Sequence, residues 1–240
     1  MEFKIIHFDE IDSTNTFLKQ NYNAYLEGTV ITTDYQKQGY GRMGRVWVDQ
    51  KQKNLTFSLL LYPKFEKTIL SQITPLTGVS LFKVLKETVP NLSIKWPNDL
   101  LAGTKKLAGI LTEAIFNGND LKALIIGIGI NVNSTNFPQP LADKTTSIVL
   151  ETNQEVDKDL LLDEILASFK KHYLAFLKGD RSYLKVFKEN FRYLHQEVDI
   201  IQNEVIKRVK IIDVLDNGNL LVESSGKTYE VTSGEISLNR

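Results

Sequence analysis

Two apolar runs joined by a tight polar turn restrict the folds open to this chain more than any other feature of its sequence. The runs cover residues 106–116 and 121–132, and Asn117-Gly-Asn-Asp120 lies between them. Asn, Gly and Asp tolerate the left-handed backbone of a hairpin turn, so the runs are predicted to form adjacent antiparallel strands. Gly127 and Gly129 interrupt the second run, which indicates either close approach by a ligand or another backbone, or a β-bulge.

The first half of the chain alternates strand-like and helix-like segments. The segments are strands over 3–8, 29–34 and 55–62, a helix capped by Ser13, and a helical stretch over 69–89. A further amphipathic helix over 157–178 is predicted to cover a sheet, with an apolar face made of Leu160, Leu161, Ile165, Phe169, Tyr173 and Phe176. The expected fold class is α+β, with a mixed central sheet flanked by helices.

Short alternating runs replace these longer segments beyond about Arg192. They cover residues 198–202, 205–214, 220–223 and 228–231, with Asn-Gly-Asn and Ser-Gly turns between them. With one further short strand expected in the same stretch, these four runs are predicted to form a small five-stranded β-barrel. We therefore expect two domains, one over residues 1–191 and one over residues 192–240.

Charge and composition exclude several classes of protein. Lys and Arg together number 29, as do Asp and Glu, so no overall field attracts the chain to nucleic acid or to an anionic membrane. The chain has no cysteine, which rules out disulfides, thiolate metal sites and a catalytic thiol. No apolar stretch of 18 residues and no signal peptide stand out, so a cytoplasmic protein with neither a nucleic-acid nor a membrane partner is expected.

A glycine- and arginine-rich run occupies residues 34–47. Gly39, Gly41 and Gly44 satisfy the letters of the dinucleotide-binding motif, but that motif opens a helix, whereas the residues that follow here are strand-like. Glycines that expose backbone N–H groups, together with the guanidinium groups of Arg42 and Arg45, suit an anion clamp better. The alternative is a solvated surface loop.

Lys95-Trp-Pro-Asn-Asp99 is a second unusual run, in which proline stiffens the backbone between a lysine and an aspartate. Lys106 follows seven residues after Asp99, and together the two side chains form a plausible acid/base and electrostatic pair. A packed turn and a solvated lysine are the alternatives. Asn131, at the end of the glycine-containing strand, has an amide suited to a purine edge. The three histidines are scattered, so no zinc site or serine triad is predicted.

Taken in order, these runs resemble the biotin protein ligases. The motifs that carry the resemblance are Asp12-Ser-Thr-Asn15, the Gln36–Trp47 loop, Lys95–Asp99, Lys106-Leu-Ala-Gly-Ile-Leu111, Gly127-Ile-Gly-Ile-Asn131 and Gly234-Glu-Ile-Ser-Leu238. The resemblance spans nearly the whole chain and implies a catalytic domain related to class II aminoacyl-tRNA synthetases, followed by an SH3-like domain.

The resemblance also implies roles for individual residues. Ser13, Thr14 and Gln36 would hydrogen-bond biotin, and Gly39, Gly109 and Gly127 would line its pocket. Lys106 would bridge the biotin carboxylate and the α-phosphate of ATP, and Asp99 would assist the final transfer. The catalytic set is Lys106, Asp99, Arg42 and Arg45. The binding set is Ser13, Thr14, Asn15, Gln36, Gly39, Tyr40, Gly41, Arg42, Trp47, Lys106, Gly109, Gly127 and Asn131, with Trp47 near adenine and Asn131 at its edge.

The implied reaction uses biotin, ATP and Mg²⁺. Biotin would attack the α-phosphorus of ATP, pyrophosphate would leave, and a lysine of a biotin carboxyl carrier protein would take biotin from the biotinyl-adenylate. No metal ligand is predicted, and a monomer and a homodimer remain open. Two rival interpretations are a lipoate or octanoate ligase of the same fold and a non-catalytic protein that senses biotin or nucleotide.

Two departures from the family pattern carry expectations of their own. Tyr40 and Met43 stand where the family often has basic residues, so the loop has fewer cations and is expected to hold the adenylate less tightly. The family motif at residues 12–15 begins close to the amino terminus, so no winged helix-turn-helix and no repressor activity are expected.

Overall fold

The structure, a computed structural model, describes residues 1–202 and 204–237. Seven strands form the larger sheet: β1 (Lys4–Phe8), β2 (Thr29–Thr33), β3 (Leu55–Leu61), β4 (Leu92–Lys95), β5 (Asp99–Ala102), β6 (Lys105–Asn117) and β7 (Asp120–Ile130). Five form the smaller sheet: β8 (Glu197–Gln202), β9 (Val205–Val214), β10 (Leu220–Ser224), β11 (Lys227–Val231) and β12 (Glu235–Ser237). The helices are α1 (Thr14–Asn21), α2 (Ile73–Leu85), α3 (Ile148–Thr152), α4 (Lys158–Leu177) and α5 (Tyr183–Asn190).

The larger sheet is mixed, as the sequence predicts. Its strand order is β1-β2-β3-β7-β6-β5-β4, with β1 parallel to β2 and every other neighbouring pair antiparallel. The central hairpin is confirmed, because β6 and β7 pair from Asn117 and Asp120 at the turn down to Ala108 and Ile130. With helices against the sheet, this arrangement confirms the predicted α+β class.

Alternate residues of the central strands enter different cores. On β7, Leu124, Ile126 and Ile128 belong to the main core, against which α2 packs. Ala123 and Ile125 instead join Leu18 of α1 in a smaller core. Since side chains alternate across a strand, the sheet has an α2 face and an α1 face. Gly127 and Gly129 fall on the α1 face by the same alternation.

Two helix predictions need correction. The helical stretch over 69–89 is a 3-10 helix, Lys67–Gln72, followed by α2, which ends at Leu85. α4 packs mainly against α2 and does not cover the sheet itself, so α2 lies between them. Leu160 is 64% exposed, although the other predicted core residues of α4 are buried. At about 100° per residue, it lies on the opposite side of the helix from Phe169 and Tyr173, which face the core. Helices α3 and α5 are absent from the prediction because they are short.

One helical segment, Lys67–Leu85, is long and apolar enough to cross a membrane by length and composition alone. Ten residues of α2 are buried against the sheet and α4, which accounts for its apolar character. The segment is therefore the core helix of the domain.

The five C-terminal strands pair antiparallel in the order β11-β10-β9-β8-β12. The five predicted short strands are therefore present, while Leu238 of the closing motif lies outside the described residues. This sheet contacts the larger domain where the Trp96 indole N–H donates to the Gly218 carbonyl at 3.0 Å. The division at residues 191/192 remains a prediction.

Candidate active site

A single row of paired residues across five strands forms the floor of the site. Thr56 of β3 pairs with Gly129, Gly129 with Gly109 of β6, Gly109 with Asp99 of β5, and Asp99 with Lys95 of β4. Directly paired residues point to the same face of a sheet. The register therefore places a carboxylate and an ammonium beside two glycines on the α1 face.

The glycines of β7 make room for side chains from distant segments. A Cβ on Gly127 would lie 2.3 Å from Asn15 Oδ1, and a Cβ on Gly129 would lie 2.5 Å from the Trp47 ring. The predicted close approach is therefore real, but the approaching groups are side chains of this chain. The Trp47 indole N–H is buried and has no acceptor within the described residues, so it is free to donate to a ligand.

The start of α1 supplies a polar wall. Ser13 caps the helix, as predicted, by accepting a hydrogen bond from the Thr16 amide at 3.3 Å. The Thr14 amide and hydroxyl donate to Gln36 Oε1 at 2.9 and 3.1 Å. The hydroxyl of Ser58 on β3 donates its proton to Asn15 Oδ1, and its oxygen lies 2.7 Å from Thr14 Oγ1. These buried polar groups hold one another in fixed positions.

The Gly/Arg loop, residues 39–47, folds back on itself. The Gly41 amide donates to the Arg45 carbonyl at 2.7 Å, the Trp47 amide donates to the Gly39 carbonyl at 2.9 Å, and Tyr40 and Val46 form an isolated antiparallel bridge. The residues around Val46, which the sequence suggested to be strand-like, form only this single bridge and no longer strand. No α-helix follows the glycines, which supports rejecting the dinucleotide-binding interpretation.

Both arginines of the loop reach the C-terminal strands. The Arg42 guanidinium donates to the Gly234 carbonyl at 3.2 Å and lies 3.4 Å from Asn98 Oδ1. Arg45 makes a two-pronged contact with the Glu235 carboxylate. This contact lowers the pKa of Glu235 against the opposing effect of burial. In this structure the predicted anion clamp is therefore held over the site by groups of the smaller sheet.

The Lys-Trp-Pro-Asn-Asp run forms the tight connection between β4 and β5. Asn98 fixes it to β6 by donating to the Ile110 carbonyl at 2.9 Å, and Trp96 is buried. Lys106 Nζ lies 2.6 Å from Asp99 Oδ1 and 5.7 Å from the centre of the Trp47 ring. The structure therefore brings together the acid and the lysine that the sequence paired.

One cavity of about 420 Å³ joins these parts, a volume typical of small-molecule sites. It is lined by every residue of the predicted sets except Gly39. Gly39 lies behind the wall, where a Cβ would come within 2.8 Å of Gln36 Nε2 and of the Trp47 carbonyl. Asn131 is buried in the lining of the cavity, and its side-chain Nδ2 donates to the Thr146 carbonyl at 3.0 Å.

Cations concentrate at one end of this cavity although the chain as a whole is neutral. Arg42, Arg45, Lys95 and Lys106 all line it, against the carboxylates of Asp99 and Glu235. Burial lowers the pKa of Lys95 and of Arg42, and the nearby carboxylates of Asp99 and Glu235 partly oppose this shift because they favour the charged forms. The cavity therefore combines a neutral polar end, at Ser13, Thr14 and Gln36, with an anion-binding end.

The sequence predictions gave no site role to four charged residues that lie at or beside the cavity: Lys95, Glu113, Lys144 and Glu235. Glu113 of β6 accepts hydrogen bonds from Asn15, Tyr40 and Lys19. Glu235 holds Arg45, and Lys95 was noted only as part of its motif. Glu113 could have been suspected from its position, because it lies two and four residues after Leu111 and Gly109 and therefore shares their face of β6. Within residues 1–202 and 204–237, no cluster of three or more His, Cys, Asp or Glu side chains suits a metal.

Known proteins share both the sequence and this architecture. Residues 7–131 match the model of the biotin/lipoate A/B protein ligase family. The bifunctional ligase/repressor BirA of Bacillus subtilis is 31% identical over 98% of this chain and 74% of its own length. A biotin–[acetyl-CoA-carboxylase] ligase of Paracoccus denitrificans is 32% identical over 67% of this chain and 69% of its own length. The biotin protein ligase of Aquifex aeolicus, solved with biotin and ATP, superimposes with a TM-score of 0.87 at 32% identity over 99% of both chains.

The fold and the cavity thus define a ligase that joins a small carboxylic acid to a protein. The chain belongs to the biotin/lipoate A/B protein ligase family, and within that family it is a biotin protein ligase. The family resemblance seen in the ordered motifs is confirmed.

Proposed function

We propose that this chain forms biotinyl-adenylate from biotin and ATP and then transfers biotin to a lysine of a biotin carboxyl carrier protein. The observation that carries the proposal is the single cavity, whose neutral polar end adjoins a cluster of four cations. A ureido ring suits the polar end, because Thr14, Asn15 and Gln36 offer both donors and acceptors. A carboxylate and a triphosphate suit the cationic end.

In the first step, we propose that Lys106 holds the biotin carboxylate next to the α-phosphate. Its ammonium and the guanidinium groups of Arg42 and Arg45 would neutralise the charge that develops as pyrophosphate leaves. Trp47 would lie against adenine and donate its free N–H, and Asn131 would meet the purine edge. Closure of the Gly/Arg loop would exclude water from the reactive acyl-adenylate.

In the second step, Asp99 would accept a proton from the incoming lysine amine, which then attacks the acyl carbon and releases AMP. Asp99 is suited to this because it lies on the floor of the cavity, paired with Gly109, which has no side chain, and beside Lys106. Mg²⁺ usually keeps several waters and binds through phosphates plus one or two carboxylates. Asp99 and Glu235 would supply such carboxylates to a Mg²⁺ ion that arrives with ATP. The ion would help to neutralise the charge of the triphosphate, and we assign it no dedicated ligand.

The reaction is tested by incubating the protein with ATP, Mg²⁺ and labelled biotin or lipoate, with and without a biotin carrier domain. We expect release of pyrophosphate and labelling of the carrier with biotin, and neither with lipoate. Labelling with lipoate instead would identify a lipoate ligase. No pyrophosphate with either acid would favour a non-catalytic sensor.

We also propose that these 240 residues do not act as a repressor. DNA binding gains most of its free energy when excess cations displace counterions from phosphates, and here 29 basic residues are balanced by 29 acidic ones. In a mobility-shift titration with biotin and ATP present, we expect no specific retardation of operator DNA. A specific shift that weakens steeply with salt would contradict the proposal.

A further inference from the structure

The carboxylate of Glu113 joins two parts of the site that are far apart in sequence. Its Oε2 accepts from Asn15 Nδ2 and from the Tyr40 hydroxyl, both at 2.8 Å. Its Oε1 accepts from Lys19 Nζ at 2.7 Å. Asn15 and Lys19 belong to α1, and Tyr40 belongs to the Gly/Arg loop. One side chain of β6 therefore connects the polar wall of the cavity to the loop that carries the arginines.

The charge states of Glu113 and Tyr40 favour a strong hydrogen bond between them. Burial alone would raise the pKa of Glu113, but the hydrogen bonds from Lys19, Asn15 and Tyr40 outweigh it and lower the pKa. Burial raises the pKa of Tyr40, so its hydroxyl keeps the proton that it donates. The carboxylate is therefore ionised and the phenol neutral across the physiological pH range, which gives a charge-assisted hydrogen bond.

The amide of Asn15 makes three hydrogen bonds within the chain, which leaves one lone pair of its Oδ1 to accept from a ligand. Its Oδ1 accepts from Ser58 and its Nδ2 also lies 3.3 Å from the Leu111 carbonyl, while the side chain fills the space above Gly127. A ligand that fixes Asn15 therefore also fixes one donor to Glu113. The loop has a second attachment at Arg42 and Arg45, which contact the C-terminal strands. Tyr40 is the attachment on the biotin side.

We propose that Glu113 is a positioning residue that couples the biotin wall to the Gly/Arg loop, so that biotin bound beside Asn15 helps to hold the loop over the adenylate. This inference rests on the proposed function for its role in catalysis. Tyr40 is not a cation, but it helps to hold the Gly/Arg loop in place because its neutral hydroxyl donates to Glu113.

The test is a double-mutant cycle on the dissociation rate of biotinyl-adenylate. Tyr40→Phe removes one hydrogen bond to a charged group, which corresponds to an increase of about tenfold in that rate. Glu113→Gln should give an increase of similar or greater size. In the Glu113→Gln background, the effect of Tyr40→Phe should be clearly smaller, because the glutamine carbonyl accepts from the Tyr40 hydroxyl without the charge of the carboxylate. Tyr35→Phe, whose hydroxyl makes no hydrogen bond within the described residues, is the matched control.

Hydrogen exchange of residues 39–47 provides a readout that needs no turnover. In the ligand-free protein, both variants should exchange these loop amides faster than the wild type. Biotin should slow that exchange in the wild type and much less in Glu113→Gln. Additive effects in the cycle, or loop exchange equal to that of the wild type, would overturn the proposal. Failure of the wild type to form adenylate, with the exchange pattern as expected, would instead refute the proposed function alone.

Discussion

Lys106→Ala is expected to reduce adenylate formation by about 100-fold or more, which is the cost of removing a preorganised charge from a reaction centre. The Lys106 ammonium is the cation that lies 2.6 Å from Asp99 on the floor of the cavity. Without it, the biotin carboxylate and the α-phosphate would meet with no positive charge between them. Pyrophosphate release with biotin and ATP measures this step.

The matched control is Lys105→Ala, which removes an exposed lysine next along β6 that does not line the cavity. It should turn over like the wild type. The Lys106 side chain is 34% exposed, so its truncation opens no cavity in the core, and thermal unfolding should show an intact fold. Normal turnover by Lys106→Ala would refute its catalytic assignment.

Asp99→Asn separates the two steps when it is measured alongside these variants. If Asp99 accepts the proton of the carrier lysine, this variant should transfer biotin slowly from biotinyl-adenylate that is supplied to it. Its own formation of adenylate should fall much less. Equal loss in both steps would assign Asp99 to the binding of Lys106 instead.

Gly127→Ala is expected to raise the KM for biotin at least tenfold and to destabilise the fold by about 1–3 kcal/mol, as overpacking does. The added methyl would lie 2.3 Å from Asn15 Oδ1. Asn15 is 4% exposed and is held by Ser58, Leu111 and Glu113, so it has nowhere to move without breaking those contacts. Biotin titrations and thermal unfolding measure the two effects.

Gly78→Ala is the control for the added methyl group. Its Cβ would lie 3.8 Å from the nearest atom, Ile110 Cδ1, on the α2 face of the sheet. Alanine also favours a helix over glycine, so stability should be kept or raised with no change in the KM for biotin. A wild-type KM in Gly127→Ala would show that Asn15 does not form the biotin wall.

Local patterns determined a large part of this fold from the sequence alone. The Asn-Gly-Asn-Asp turn and the apolar runs beside it specify the β6–β7 hairpin, because both turn chemistry and residue alternation act over a few residues. The Ser13 cap and the five C-terminal strands follow from signals of the same short range. The ordered motifs added the family, and with it most of the cavity lining, although Thr56, Phe137 and Lys144 line the cavity from outside the motifs.

Only the tertiary structure decided which side chains meet across long stretches of chain. Asn15 contacts Glu113, 98 residues away, and Arg45 contacts Glu235, 190 residues away. Periodicity assigns a residue to a face but does not choose its partner. The stacking of α4 on α2 and the position of Gly39 behind the wall depend on the same long-range packing. The three hydrogen bonds to the Glu113 carboxylate form because the sheet register and the folded loop bring Asn15, Lys19 and Tyr40 to it.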